Sequence, residues 1–239
     1  MSRNVTVEAH GFRFWDNGNS AGGVCISMMV ASRVSRIAAA LCACAVAALG
    51  QYKMDPAGPP PADIPSAIRD TLQKDGAKIS GPNGALCEVW FRSTTPAGPP
   101  NNEKDVTLTN LPHGALIGVI KYESQGQDRR GQTIKPGVYT LRFSYYPVNG
   151  AHQGVAPQRD FALLSPIASD TDPNALPNFD TLVAMSKKAS GTGHPAVLSI
   201  WKADTDFKPG FDKEGDDWVL QAKMGDTPIA IILVGVAQS

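Results

Sequence analysis

Cysteine is nearly missing from the part of this sequence that could fold as a domain. Of four cysteines in 239 residues, Cys25, Cys42 and Cys44 fall before Gln51, and only Cys87 lies beyond it. One thiol makes no internal disulfide, so a disulfide-stapled scaffold is excluded there. An excess of one charge is lacking too, with 22 basic against 22 acidic side chains. Arg3, Arg13, Arg33 and Arg36 precede Gln51 with only Glu8 and Asp16, which leaves the remainder slightly acidic. Without a basic stripe or interleaved aromatics, a nucleic-acid partner is not expected. No apolar run reaches the ~20 residues that a spanning helix needs. A phosphate loop, a Gly-x-Ser-x-Gly elbow, His-Glu-x-x-His and Cys-x-x-Cys are all absent, so no cofactor is indicated.

What is present begins with an export signal. Arg33 and Arg36 precede an uncharged run from Ile37 to Leu49 that ends in Ala48-Leu49-Gly50. A positive flank, a short apolar core and a small-residue end describe a secretory signal, with Gln51 as the mature N-terminus. The expected location is therefore periplasmic or extracellular. Starting at Met28 or Met29 gives a signal of ordinary length over 28–50. Residues 1–27 then read as an upstream extension outside the translated protein; the alternative is an extended n-region. Leu41-Cys42-Ala43-Cys44 also loosely matches a lipobox with Cys44 as the lipidated residue, although the apolar run continues past it.

Residues 51–65 are rich in proline and read as an extended tether. A short helix is expected over Ala67–Lys74, closed by Gly76 as a left-handed cap. Ala77–Ser80 and Ala85–Arg92 form a hairpin across Gly81-Pro82-Asn83-Gly84, with Cys87, Val89 and Phe91 on the core face. Cys87 is then a buried small hydrophobe. Val106–Leu111 alternates as a strand, turns at Pro112-His113-Gly114 and continues through Ala115–Tyr122. From Gly137 the chain alternates again: Tyr139, Leu141, Phe143 and Tyr145 fall on one face, Val138, Thr140, Arg142 and Ser144 on the other. A period of two is what a half-buried strand requires. Asn178 or Asp180 caps a helix ended by Gly191. Ala196–Trp201 and Trp218–Met224 are strands, and Ile229–Val236 is apolar on both faces. The acidic stretch 204–217 reads as a solvated loop.

With 23 glycines and 19 prolines, no collagen period and no βαβ rhythm, these elements indicate an all-β domain over 66–239. The expected form is an antiparallel β-sandwich of about seven to nine strands with two short peripheral helices.

Polar side chains with chemical potential are densest at His152, Gln153, Gln158, Arg159 and Asp160. His152 and His194 each follow a Gly-rich loop element. If their loops share one end of a sandwich, they could join Asp160 in a two-histidine, one-carboxylate metal site; separate hydrogen-bonding roles are the alternative. Arg159-Asp160 either braces the loop or lets Arg159 take a ligand carboxylate or phosphate bidentately beside His152. His113 reads as an exposed turn residue. Asp170-Thr171-Asp172-Pro173-Asn174 starts like a calcium loop, but Ala175 and Thr181 stand where an EF-hand needs Gly and Glu.

Ile134-Lys-Pro-Gly-Val-Tyr-Thr-Leu141 resembles the Pro-Gly-x-Tyr-x-Leu strand opening of transthyretin-like and other extracellular β-sandwich modules. The loop onward to Arg159-Asp160-Phe161, followed by Asp170-x-Asp-Pro-Asn174, is similar to a family of exported bacterial proteins without assigned activity. The resemblance implies fold and export and brings no catalytic residues with it. Two functions follow as expectations. The first is a non-catalytic binding or accessory module for a protein, glycan or small ligand. The second is a small periplasmic hydrolase or metal-dependent enzyme built on His152, Arg159, Asp160 and His194.

Overall fold

A computed structural model describes residues 51–99, 101–148, 158–204 and 206–236. The strands are β1 (Lys53–Gly58), β2 (Gly76–Gly81), β3 (Gly84–Phe91), β4 (Leu116–Tyr122), β5 (Gly126–Gln127), β6 (Thr133–Ile134), β7 (Gly137–Tyr145), β8 (Asp160–Pro166), β9 (Val197–Lys202), β10 (Gly210–Glu214), β11 (Asp217–Met224) and β12 (Thr227–Val234). Two α-helices accompany them, α1 (Ser66–Arg69) and α2 (Phe179–Ser190).

All-β is what the structure shows; the sandwich is corrected. Ten strands form one antiparallel sheet in the order β1-β2-β3-β4-β7-β8-β9-β12-β11-β10, curled into a nearly closed barrel. Its two edges meet through Tyr52, whose ring lies 5.2 Å from Trp218 and 6.2 Å from Phe211. Alternation of side chains is the same in a sandwich and a barrel, because each strand has one inner face in both. The pattern therefore named the inner residues without saying whether the sheet divides.

The interior is filled by side chains, among them Ile79, Cys87, Ile120, Leu141, Phe143, Leu164, Leu220 and Ile231. Each such burial contributes roughly 1.5–3 kcal/mol for the large apolar residues. Burial raises the pKa of the Cys87 thiol, in keeping with a packing role. Smaller clusters coat the outside. Ile64, Ile68 and Leu72 pack on Trp90, Leu116 and Val119. Leu182 of α2 lies on Tyr146, Phe161, Leu163 and Val197.

Five local expectations change. The Pro-rich tether is not one: residues 53–58 pair with β2 as an edge strand, where proline is tolerated. The helix before β2 spans only four residues, because Gln73 N–H is already drawn to the Phe91 carbonyl. Gly76 opens β2 instead of capping a helix, and a Cβ there would sit 2.4 Å from Trp90 Nε1. Residues 106–111 are irregular, since Thr107 and Leu108 donate their N–H groups to the Asp160 carboxylate and not to a ladder. The acidic stretch holds β10, registered on β11 from Gly210↔Gln221 to Glu214↔Asp217.

Other expectations stand. Cys87, Val89 and Phe91 face the core, and β12 is buried on both faces. Asn178 Oδ1 accepts from Thr181 N–H at 2.9 Å, and Gly191 closes α2 at φ +67°. Such a cap is worth about 1 kcal/mol. Among the described residues no helix is long and apolar enough to cross a membrane.

Candidate functional site

Antiparallel strands give the barrel two ends, and the candidate residues are divided between them. At one end β7 finishes and β8 starts, and residues 106–111 plug the opening with Val106, Leu108 and Leu111. At the other, β4 finishes and β7 starts, and residues 124–134 form a collar.

Asp160 is fully buried at the plug end. Its carboxylate accepts Thr107 N–H at 2.9 Å and Leu108 N–H at 3.0 Å. Burial pushes its pKa up, and these donors partly hold it down. Arg159 beside it clamps the same end. Nε donates to the Tyr146 carbonyl at 2.9 Å, Nη2 to Glu103 at 3.1 Å and again to Tyr146, and Nη1 to Lys104. Among the described residues one Nη1 N–H is left over, so Arg159 has no open bidentate edge. Its guanidinium carbon also lies 5.6 Å from the centre of the Tyr145 ring.

His194 is exposed and belongs to the collar end, where its carbonyl accepts from Ser190 Oγ at 2.6 Å. The β8–β9 register, with Leu163 opposite Val197, places His194 level with Pro166. That is six residues along β8 from Asp160, or ~20 Å at the rise of a strand. His152 and Gln153 lie outside the described residues. Asp160 and His194 therefore do not meet, and the metal centre that required both is not formed. Among the described residues no group of His, Cys, Asp and Glu could hold a metal ion. The calcium-like start is occupied as well: the Asp170 carboxylate takes Arg142 at 2.6 and 2.7 Å and Thr140 at 2.5 Å.

The plug end has a side chain that sequence reasoning misplaced. His113 is half-buried, with Nε2 2.9 Å from Ser144 Oγ and its ring edge-on to Tyr145 at 5.7 Å. Its hydroxyl partner lies 31 positions away, so no local pattern announces the contact. Together with Glu103, Tyr145, Pro147, Val148, Arg159, Asn178 and Phe179 it lines a cleft of about 530 Å³. Ser144 itself is fully buried. The serine hydroxyl thus fixes the imidazole and is not presented to the cleft as a nucleophile.

Burial lowers the His113 pKa, and a hydrogen bond to the Pro177 backbone offsets this only in part. Below about 6.5 the unfolded chain takes a proton that the folded ring resists, so the unfolded state binds more protons. Stability is therefore expected to fall as pH drops below about 6.5, levelling off once the folded ring titrates. Urea unfolding of wild type and His113→Gln at neutral and mildly acidic pH checks this. The difference in stability between the two proteins should change between those conditions; a constant difference refutes the assignment.

At the collar end Asp128 is fully buried and accepts Arg130 N–H and Gln132 N–H at 3.0 Å and Arg130 Nη2 at 2.8 Å. Arg130 and Gln132 reach on to the Pro195 carbonyl at 2.7 and 3.0 Å. Arg129 Nε meets both oxygens of Asp217 on β11 at 3.0 and 3.1 Å. The collar is thus tied to both sides of the barrel, and beneath it opens a mouth of about 700 Å³. Compared with protein-family models, curated proteins and solved structures, the chain finds no match in any of the three.

Proposed function

We propose that this chain is an exported, non-catalytic binding module that holds a small, flat, largely apolar ligand in the plug-end cleft. One observation carries the reading. Of the five large apolar side chains exposed among the described residues, Val148 and Phe179 line this cleft, and Leu176 sits on the turn packed against Gly114 beside it. Apolar side chains left in water around a concave, aromatic wall mark a binding surface. The remaining Arg159 N–H gives such a ligand one place for a polar acceptor, and Glu103 stands beside it. The buried Ser144 and the backbone-bonded Asp160 favour binding over hydrolysis.

The test uses the mature chain and 1-anilinonaphthalene-8-sulfonate, a flat aromatic anion, followed by fluorescence. Saturable one-site binding is expected, weakened about tenfold or more in Phe179→Asp. That substitution leaves the fold intact, because an acidic residue in the first turn of a helix is favourable. Equal binding by the variant would refute the cleft as the site. N-terminal sequencing of the protein from the cell envelope should begin at Gln51; an uncleaved cytoplasmic chain would sink the export reading.

A further inference from the structure

We infer that the collar-end mouth is a second site, built for a neutral saccharide. It is lined by Tyr52, Leu86, Trp218, Leu233 and Val234 on its apolar side, with Gln125, Gln127, Lys213 and Asp216 around them. The collar's other polar groups are engaged: Asp128, Arg129, Arg130 and Gln132 all bond within the protein. Gln125 and Gln127 differ. Among the described residues, neither side-chain amide has a hydrogen-bond partner, and the same holds for the Lys213 ammonium, the Tyr52 hydroxyl and the Trp218 indole N–H.

These heads nevertheless stand on fixed backbone. Ser124 Oγ donates to the Ala85 carbonyl at 3.0 Å, Gly126 pairs with Ile134, and Gln127 pairs with Thr133. Gly126 is seated so closely on Tyr122 that a Cβ would lie 2.2 Å from the ring. Lys213 and Trp218 are cross-strand partners on β10 and β11. The backbone that carries the heads is therefore pre-organised, and the ordering cost on binding falls on the side chains alone.

Its chemistry chooses among ligand classes. An acyl chain would cover these polar heads without pairing them, at a desolvation penalty for each. A strongly charged ligand finds Lys213 and Asp216 with opposite sign on the same wall. A peptide strand would take its backbone pairing from a free sheet edge, and of the lining residues that belong to the ten-stranded sheet only Lys213 lies on an edge strand. A neutral sugar ring satisfies the arrangement. Its hydroxyls both donate and accept, as primary amides do, while its C–H face lies against the aromatic pair. Barrel mouths are also a common place for small-ligand sites.

Titration calorimetry and saturation-transfer NMR on the mature chain test this. The probes are neutral oligosaccharides of glucose, mannose, galactose, xylose and N-acetylglucosamine. At least one is expected to bind saturably, and Trp218→Ala should weaken it about tenfold or more. Trp218→Phe should retain most of the affinity. Because Trp218 also packs on Phe211, the doubly substituted Gln125→Ala/Gln127→Ala protein serves as a second variant. Both glutamines are exposed, so its fold should be untouched while sugar binding drops about tenfold. Failure of every sugar to bind, or binding unchanged in both variants, overturns the inference. Dye binding at the plug end should be unaffected by any of these substitutions, so the two sites stand or fall separately.

Discussion

Replacing Arg142 by methionine is expected to destabilise the protein by about 3–5 kcal/mol, the usual consequence of removing one partner from a buried ion pair. Arg142 is fully buried on the outer face of β7, and Asp170 is 5% exposed. Every guanidinium N–H is engaged. Nε and Nη2 hold the two Asp170 oxygens, Nη1 reaches the Gly114 and Ala175 carbonyls, and Nη2 also reaches the Asp172 carbonyl. Methionine fills similar space but leaves the Asp170 carboxylate with only the Thr140 hydroxyl as a donor and three carbonyls without their guanidinium N–H. Urea denaturation measures the loss. Removing both charges, in Arg142→Met/Asp170→Leu, should restore much of it, because the large penalty is the unpaired charge. A single variant within about 1 kcal/mol of wild type would refute the buried pair. The same pair has a functional reach: it fixes Asp172 and Ala175, just upstream of Asn178 and Phe179 in the plug-end cleft. Dye affinity should therefore fall in Arg142→Met even under conditions where the chain stays folded.

Trp90→Ala is the second large effect, with an expected loss of about 3–5 kcal/mol. The side chain is 1% exposed and packs with Ile64, Ile68, Leu72, Leu116 and Val119. Its indole N–H also donates to the Gly58 carbonyl at 2.8 Å, tying the end of β1 to β3. The damage should be uneven. Hydrogen exchange at Met54–Gly58 is expected to rise before that of the inner strands, since β1 pairs only with β2. Trp90→Phe should keep most of the packing and lose mainly that bond, for about 1 kcal/mol. Uniform exchange across the sheet in Trp90→Ala would show that the ring does not secure β1.

How far the sequence disclosed all this depends on the range of the contacts involved. Inner-face residues such as Cys87, Leu141 and Phe143 were legible because strand alternation is a local property. So was the Asn178 cap, which acts three residues along the chain. β1 and β10 were not, because proline, glycine and charge on an edge strand look the same as a loop. Arg142 was placed only on the second face of a half-buried strand for a similar reason: Thr140, Arg142 and Ser144 are polar, and what covers them arrives from residues 113–114 and 170–177. The candidate site divided because sequence reasoning had no means of telling one end of the barrel from the other. Arg159 and Asp160 proved to be neighbours with local duties, while His194 went to the opposite rim.

The strand order carries a consequence for how the chain is made. From β1 to β9 successive sheet strands are neighbours, but β12, the last of the described strands, is inserted between β9 and β11. A growing chain that has reached Met224 has its β10–β11 hairpin and nowhere to attach it. Both β9 and β11 then present unpaired backbone, the kind of edge that recruits other chains. Only when Thr227–Val234 emerges can the two blocks join, through pairs such as Ile231 with Ile200 and Ile229 with Ala222. The barrel therefore stays incomplete until Thr227–Val234 has been made. A stop codon at or before Thr227 would remove an inner stave of the barrel and expose both of its neighbours.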